Sequence, residues 1–178
     1  MLPTTARAVV SARQVDGWLS ELGIEPLERA EREGVASWDL SLDGRDRSGL
    51  RVTLILEPSL VLVAWLHYAP ALSDSFRRSY RQFLRWNDEL PFVKFALSTD
   101  ERPMLSAEVP VETLDRDRLG LTLARLIATC DLLLPESAQW LWPGGRRPPD
   151  AAPGGRPSAL LERYAEELGE LAAPRSAQ

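Results

Sequence analysis

Glu112, Asp115 and Asp117 stand close together ahead of a long apolar run, and Asp39, Asp43 and Asp46 form a second acidic group. Paired carboxylates can serve as general acid and base, or hold a divalent cation through oxygen ligands. One reading of the chain is therefore a hydrolase or other enzyme using an Asp/Glu cluster with a divalent metal. Two of these groups have plainer duties. Asp115 is placed to cap a helix, and Asp117 falls in the first turn, where the helix dipole favours negative charge. His67 and Cys130 are the single histidine and the single cysteine. A zinc site needs several convergent ligands, and a Ser or Cys nucleophile usually needs a base, so little catalytic material remains. Cys130 lies among Leu126, Ile127, Leu133 and Leu134 and reads as a core residue. His67 reads as a strand-end histidine satisfied by a local hydrogen bond. The expectation is no catalytic residue, no cofactor and no metal.

The second class of reading is a binding module. Arg77, Arg81 and Arg85 recur every fourth residue, with Arg78 beside them, on one face of a predicted helix. Such a stripe suits a solvated face or an acidic protein surface. Nucleic acid is disfavoured: the net charge is -5, and no aromatic residues interleave on that face to stack bases. Val63 and Trp65 lie on a predicted strand with two apolar faces. These five residues are the candidate partner contacts. No apolar run approaches the roughly 20 residues needed to cross a bilayer. The first residues lack the pattern of a signal peptide. A soluble, cytoplasmic protein with no membrane partner is expected.

The elements that would position these residues follow from periodicity. Val15, Trp18, Leu19 and Leu22 predict a first helix ended by Gly23. Alternation around Trp38, Leu40 and Leu42, and again at Leu50, Val52, Leu54 and Leu56, predicts two antiparallel strands across a turn-rich loop. A third strand spans 60–67, apolar at nearly every position, so that one face meets the core and the other a helix or a second subunit. Ser73 then offers a cap for a second helix bearing Phe76, Tyr80, Phe83, Leu84 and Asn87. Asn87 is expected to end that helix in the left-handed conformation, and Trp86 to cover the joint between helix and sheet. Strands at 92–97 and 104–109 follow, then an Asp115-capped helix running until Pro135.

Domain boundaries follow from composition. Residues 1–142 read as one α+β domain, and 143–157 as a Pro/Gly-rich linker. Residues 158–172 read as an amphipathic helix carrying Leu160, Leu161, Tyr164, Leu168 and Leu171, and 173–178 as a disordered tail. An isolated helix of this length is marginal in water, so it must dock or fray. The fold class is α+β, an antiparallel sheet of about five strands in the order helix, three strands, helix, two strands, helix.

The block "FRRSYRQFLRWNDELPFVKFALSTDERPMLSAEVPVETLDRDRLGLTLARLIATCDLL" resembles the YbjN-like bacterial proteins, a group described as sensory transduction regulators. The matching parts are the helix ending in Trp86 and Asn87, the strand with Lys94 and Phe95, the strand ending "AEVP", and the Asp-led helix ending near Asp131. The resemblance implies a fold similar to type III secretion chaperones. It further implies a compact module, frequently a homodimer, that binds another protein and performs no chemistry. The linker and terminal helix lie outside the resemblance.

Overall fold

In the computed structural model, residues 9–72, 77–142 and 158–172 are described. Ser11 opens α1 (Ala12–Glu21). Its hydroxyl accepts the Gln14 N–H, and the Gln14 side chain accepts the Ser11 N–H, a reciprocal capping box. Such a cap contributes about 1 kcal/mol. Val15 and Leu19 bury the inner face of α1, and Gly23, at φ 72°, turns the chain away.

Six strands follow rather than about five. The addition is β1 (Glu28–Arg32), joined to β2 (Val35–Leu42) through Glu33 and Gly34, both at positive φ. That two-residue turn has the twist that lets antiparallel strands pair directly. "ERAER" has no apolar alternation because an edge strand held by backbone pairing to β2 needs none, and its charges discourage further pairing. β3 (Leu50–Glu57), β4 (Val61–His67), β5 (Lys94–Leu97) and β6 (Pro103–Pro110) complete one antiparallel sheet in the order β1-β2-β3-β4-β6-β5.

The register lines up the core. Trp38, Leu54, Ala64 and Ala107 form one row; Leu40, Val52, Leu66, Leu105 and Phe95 form the next. All are buried on the same face. The helices lie on that face. α1 meets it where the Trp38 indole N–H donates to Asp16 at 2.6 Å. α2 (Arg77–Glu89) sets Phe83 and Trp86 against Phe95 of β5, with ring centroids 4.8 and 5.5 Å apart. Trp86 thus covers the joint between helix and sheet, as expected. The proposed cap at Ser73 lies outside the described residues.

α3 (Arg116–Leu141) is capped by Asp115, whose carboxylate accepts the Arg118 N–H at 2.7 Å. Pro135 does not end it. Proline removes one backbone donor, yet Leu133, Leu134, Ser137, Ala138 and Leu141 are buried around it, so packing outweighs the lost bond. Ser137 ties this last stretch to β4's end through the Tyr68 hydroxyl, 2.6 Å away. The terminal amphipathic stretch forms two short helices, α4 (Ala159–Arg163) and α5 (Ala165–Ala172), broken at Tyr164 and packed on α3. Residues 143–157 and 173–178, read as linker and tail, lie outside the described residues.

Candidate functional site

The side chains that alternate with the core belong to the opposite face of the sheet, and no described helix covers it. Toward β2 this face is polar, with Ser37, Asp39 and Ser41. Toward β3, β4 and β6 it holds an apolar stripe, Ile55, Val61, Val63, Trp65 and Met104, all half-buried and interleaved with Arg51, Thr53, Glu57, Ser106 and Glu108. Ile55 pairs with Val63, and Trp65 lies between Thr53 and Ser106. The expected apolar second face of the third strand is therefore present, and no described helix lies over it.

His67 ends the stripe. Its ring meets Trp65 edge-on with centroids 5.1 Å apart. Nδ1 is buried and, among the described residues, has no hydrogen-bond partner, so the expected local bond is not made at that atom. Burial, then the nearby Arg102, push its pKa below the usual histidine value against the pull of Asp100. The imidazole is thus held toward its neutral form, an aromatic extension of the apolar stripe.

Both edges of the sheet carry groups that disfavour strand addition. At one edge stand the charges of β1. At the other, the Asn87 amide does what a neighbouring strand would. Its NH2 donates to the Phe95 carbonyl at 3.0 Å, and its oxygen accepts the Phe95 N–H at 2.6 Å. Asn87 lies within α2 and is not among the residues at positive φ, so it does not end the helix in the left-handed conformation. Lys94 closes that helix instead, its ammonium donating to the carbonyls of Asn87 and Leu90.

The remaining sequence candidates are dispersed. Arg81 and Arg85 are exposed on α2, which packs against the covered face, so the structure does not join them to Val63 and Trp65. The Arg77 side chain is not among the described parts. Four of the six carboxylates have local partners: Asp115 caps α3, Asp117 pairs with Arg116 at 3.0 Å, Asp39 accepts from the Thr53 hydroxyl at 2.6 Å, and Asp43 accepts the Gly49 N–H at 2.7 Å. Among the described residues, no three His, Cys, Asp or Glu side chains gather as metal ligands would. No described helix is long and apolar enough to cross a membrane.

Sequence reading missed Ile55 and Met104, because their place beside Trp65 depends on strand register. It also read Phe92 as the start of a strand, but β5 begins at Lys94, and Phe92 is held at φ 69° and half-exposed with the Arg125 guanidinium 3.5 Å from its ring centre. A strained non-glycine residue leaves no mark in composition.

Solved structures similar to the chain include the following two. One is an uncharacterized protein from Methanothermobacter thermautotrophicus, at 17% identity and TM-score 0.47, covering 69% of this chain and 92% of the other. The second is the Yersinia pestis type III secretion chaperone SycH, solved in complex with a stable fragment of YscM2, at 19% identity and TM-score 0.47, covering 68% and 98%. No curated protein matches the sequence. The sequence profile of the YbjN family, described as "Putative bacterial sensory transduction regulator", matches residues 11–138. With α1, α2, the sheet and most of α3 inside that match, the chain belongs to the YbjN family.

Proposed function

We propose that the protein is a regulator that works by binding another protein, an adaptor or chaperone-like module with no chemistry of its own. Its partner lies across β3, β4 and β6 on the open face. The observation that carries this reading is the stripe Ile55, Val61, Val63, Trp65 and Met104, apolar side chains on a sheet face that no described helix covers. An extended or helical segment docks on such a surface through apolar pockets and needs no catalytic group. The guarded edges favour the face over strand addition as the route of recognition. The family's description as regulators agrees with this reading. A second copy of the chain is the other occupant to consider, because a two-fold pair is the commonest oligomer. A cytoplasmic location, without nucleic acid or membrane, belongs to the same proposal, and the net charge of -5 favours it over a polyanion binder. Arg81 and Arg85 belong to a separate surface with a lesser role.

The test compares Trp65→Glu with the double change Arg81→Glu, Arg85→Glu. Partners are captured from the native cell, and cross-links are mapped onto the chain by mass spectrometry. Trp65→Glu is expected to abolish capture while leaving the melting temperature nearly unchanged, and the arginine variant to retain most of it. Capture undiminished by Trp65→Glu, with cross-links away from the stripe, would remove the open face from consideration. Light scattering of wild type and Trp65→Glu separates the self-pairing outcome from a foreign partner.

A further inference from the structure

The Asn87 amide guards β5, but β6 is longer than the strand beside it. β5 pairs with residues 103–106 and begins at Lys94, so residues 107–110 of β6 have β4 on one side and, among the described residues, no strand on the other. Phe92 makes this step. Its φ of 69° lies in the left-handed region, so β5 cannot extend back past it. Backbone alternation then fixes what the step offers. The Phe95 N–H and carbonyl face Asn87, so those of Lys94 and Ala96 face β6, and those of Met104 and Ser106 face β5. Two residues on, the N–H and carbonyl of Glu108 face the step. The Pro110 carbonyl, next in phase, accepts the Thr113 hydroxyl, and proline has no N–H. The step therefore offers one donor and one acceptor, enough for a single residue of an incoming chain.

α3 supplies charge at the same place. Arg118 and Arg125 line a cavity of about 130 Å³ with Phe92, Glu108 and Pro110. Arg29, Arg116 and Arg163 each have a carboxylate within 4.0 Å, whereas neither Arg118 nor Arg125 has an ion pair among the described residues. The Phe92 ring, 3.5 Å away at its centre, orients the Arg125 guanidinium without neutralising it, and Nε is buried with no hydrogen-bond partner. Burial lowers the Arg125 pKa and Arg118 adds to that, while Glu170 and Glu167 offset only part. A carboxylate is the anion that matches this planar fork. The Glu108 side chain does not oppose it from the core side, being exposed and out of phase with the buried Ala107 and Val109.

Direction completes the argument. A segment running antiparallel to β6, as β5 does, enters past Pro110 and meets Phe92 and Arg125 with its C-terminal end, where Lys94 already holds the next position. A chain in this slot has to end there. We propose that the step binds the C-terminus of an extended segment of a protein partner: its penultimate residue exchanges backbone hydrogen bonds with Glu108, and its free carboxylate is held by Arg125, with Arg118 as the lesser contributor. This surface is separate from the open face and does not depend on it.

The probe is the peptide Gly-Ser-Thr-Thr-Val, labelled with fluorescein at its N-terminus and made with either a free C-terminal carboxylate or an amide. Its β-branched residues suit an extended chain. By anisotropy against the full chain, the acid should bind about tenfold more tightly than the amide, since only the acid makes charge-assisted hydrogen bonds. Arg125→Gln should remove that preference. Arg118→Gln should reduce it, and because Arg118 is exposed this variant keeps the test open should Arg125→Gln fail to fold. Glu108→Pro removes the N–H that faces the step, at an edge where proline is tolerated, and should weaken the acid severalfold, while Glu108→Gln should not. Trp65→Glu should leave binding unchanged. Acid and amide binding alike, or neither binding below millimolar concentration, would overturn the proposal. So would mole-for-mole competition by acetate, which would make this a site for a free small acid, or loss of binding in Trp65→Glu, which would place the peptide on the open face.

Discussion

The two faces of one sheet are made from the same strands, and they differ in what they ask of each residue. On the covered face Trp38, Leu54 and Ala64 are fully buried in one row, and each has α1, α2 or α3 above its part of the sheet. On the open face Asp39, Thr53 and Trp65 form the facing row, all half-buried, with a hydrogen bond between the first two. The covered face is where folding energy is concentrated, because apolar area removed from water contributes roughly 25 cal/mol per Å². The open face keeps Trp65 half-buried with no described helix above it. If the open face is the binding surface proposed above, that separation would let it be altered without unfolding the module.

The largest contrast should come from the two tryptophans. Trp38→Ala leaves a cavity and orphans the Asp16 contact, and is expected to lower stability by about 3–5 kcal/mol. Trp65→Ala, with one face already toward water, should lower it by no more than about 1 kcal/mol. Urea unfolding of both variants reads the difference. Comparable losses would mean that the open face is part of the core and that another chain or segment covers it.

A smaller effect tests the guarded edge. Asn87→Ala leaves the Phe95 N–H and carbonyl without their amide partner, at a cost of about 1–2 kcal/mol. Asn87→Gly should cost more than Ala by a further 0.5–1 kcal/mol or so, since the residue lies inside α2. A glycine variant as stable as wild type would instead restore the helix-ending role expected from sequence. Increased self-association of Asn87→Ala, read by light scattering, would show that the amide also blocks strand addition.

These contrasts show where sequence was informative. Alternation located β2 and β3, because each has one face buried and the period of two survives in the residue order, whereas β4 was legible as an unbroken apolar run. That run marked Val63 and Trp65, because apolar residues at the out-of-phase positions of β4 need a second explanation. β1 stayed hidden, since an edge strand of alternating charge is held by pairing that composition does not record. The role of Asn87 was hidden as well. An amide at the end of a helix looks like a cap until the strand that follows folds back beside it. Pro135 misled because a local rule about backbone donors lost to the burial of the residues around it.

The smallest effect concerns Asp131, a half-buried carboxylate of α3 near the terminal segment. Asp131 accepts the N–H groups of Arg45 at 2.7 Å and Asp46 at 3.0 Å, pinning the loop between β2 and β3. Gly44 permits this approach, since a Cβ there would lie 2.6 Å from the carboxylate oxygens. Burial raises the Asp131 pKa above its ordinary 3.8, and the backbone donors offset only part of that rise. An acid that is harder to ionise in the folded chain than in the unfolded one lowers stability wherever it is ionised. The penalty is fully present above the folded pKa and disappears as pH falls through that value toward the unfolded one. Asp131→Asn has no such group to titrate. The stability of wild type relative to Asp131→Asn should therefore improve as pH is lowered from neutrality toward 4, read as the difference between paired denaturation curves. A difference that stays flat, or that moves toward the asparagine variant, would mean that the loop N–H groups outweigh burial and hold the carboxylate in its charged form.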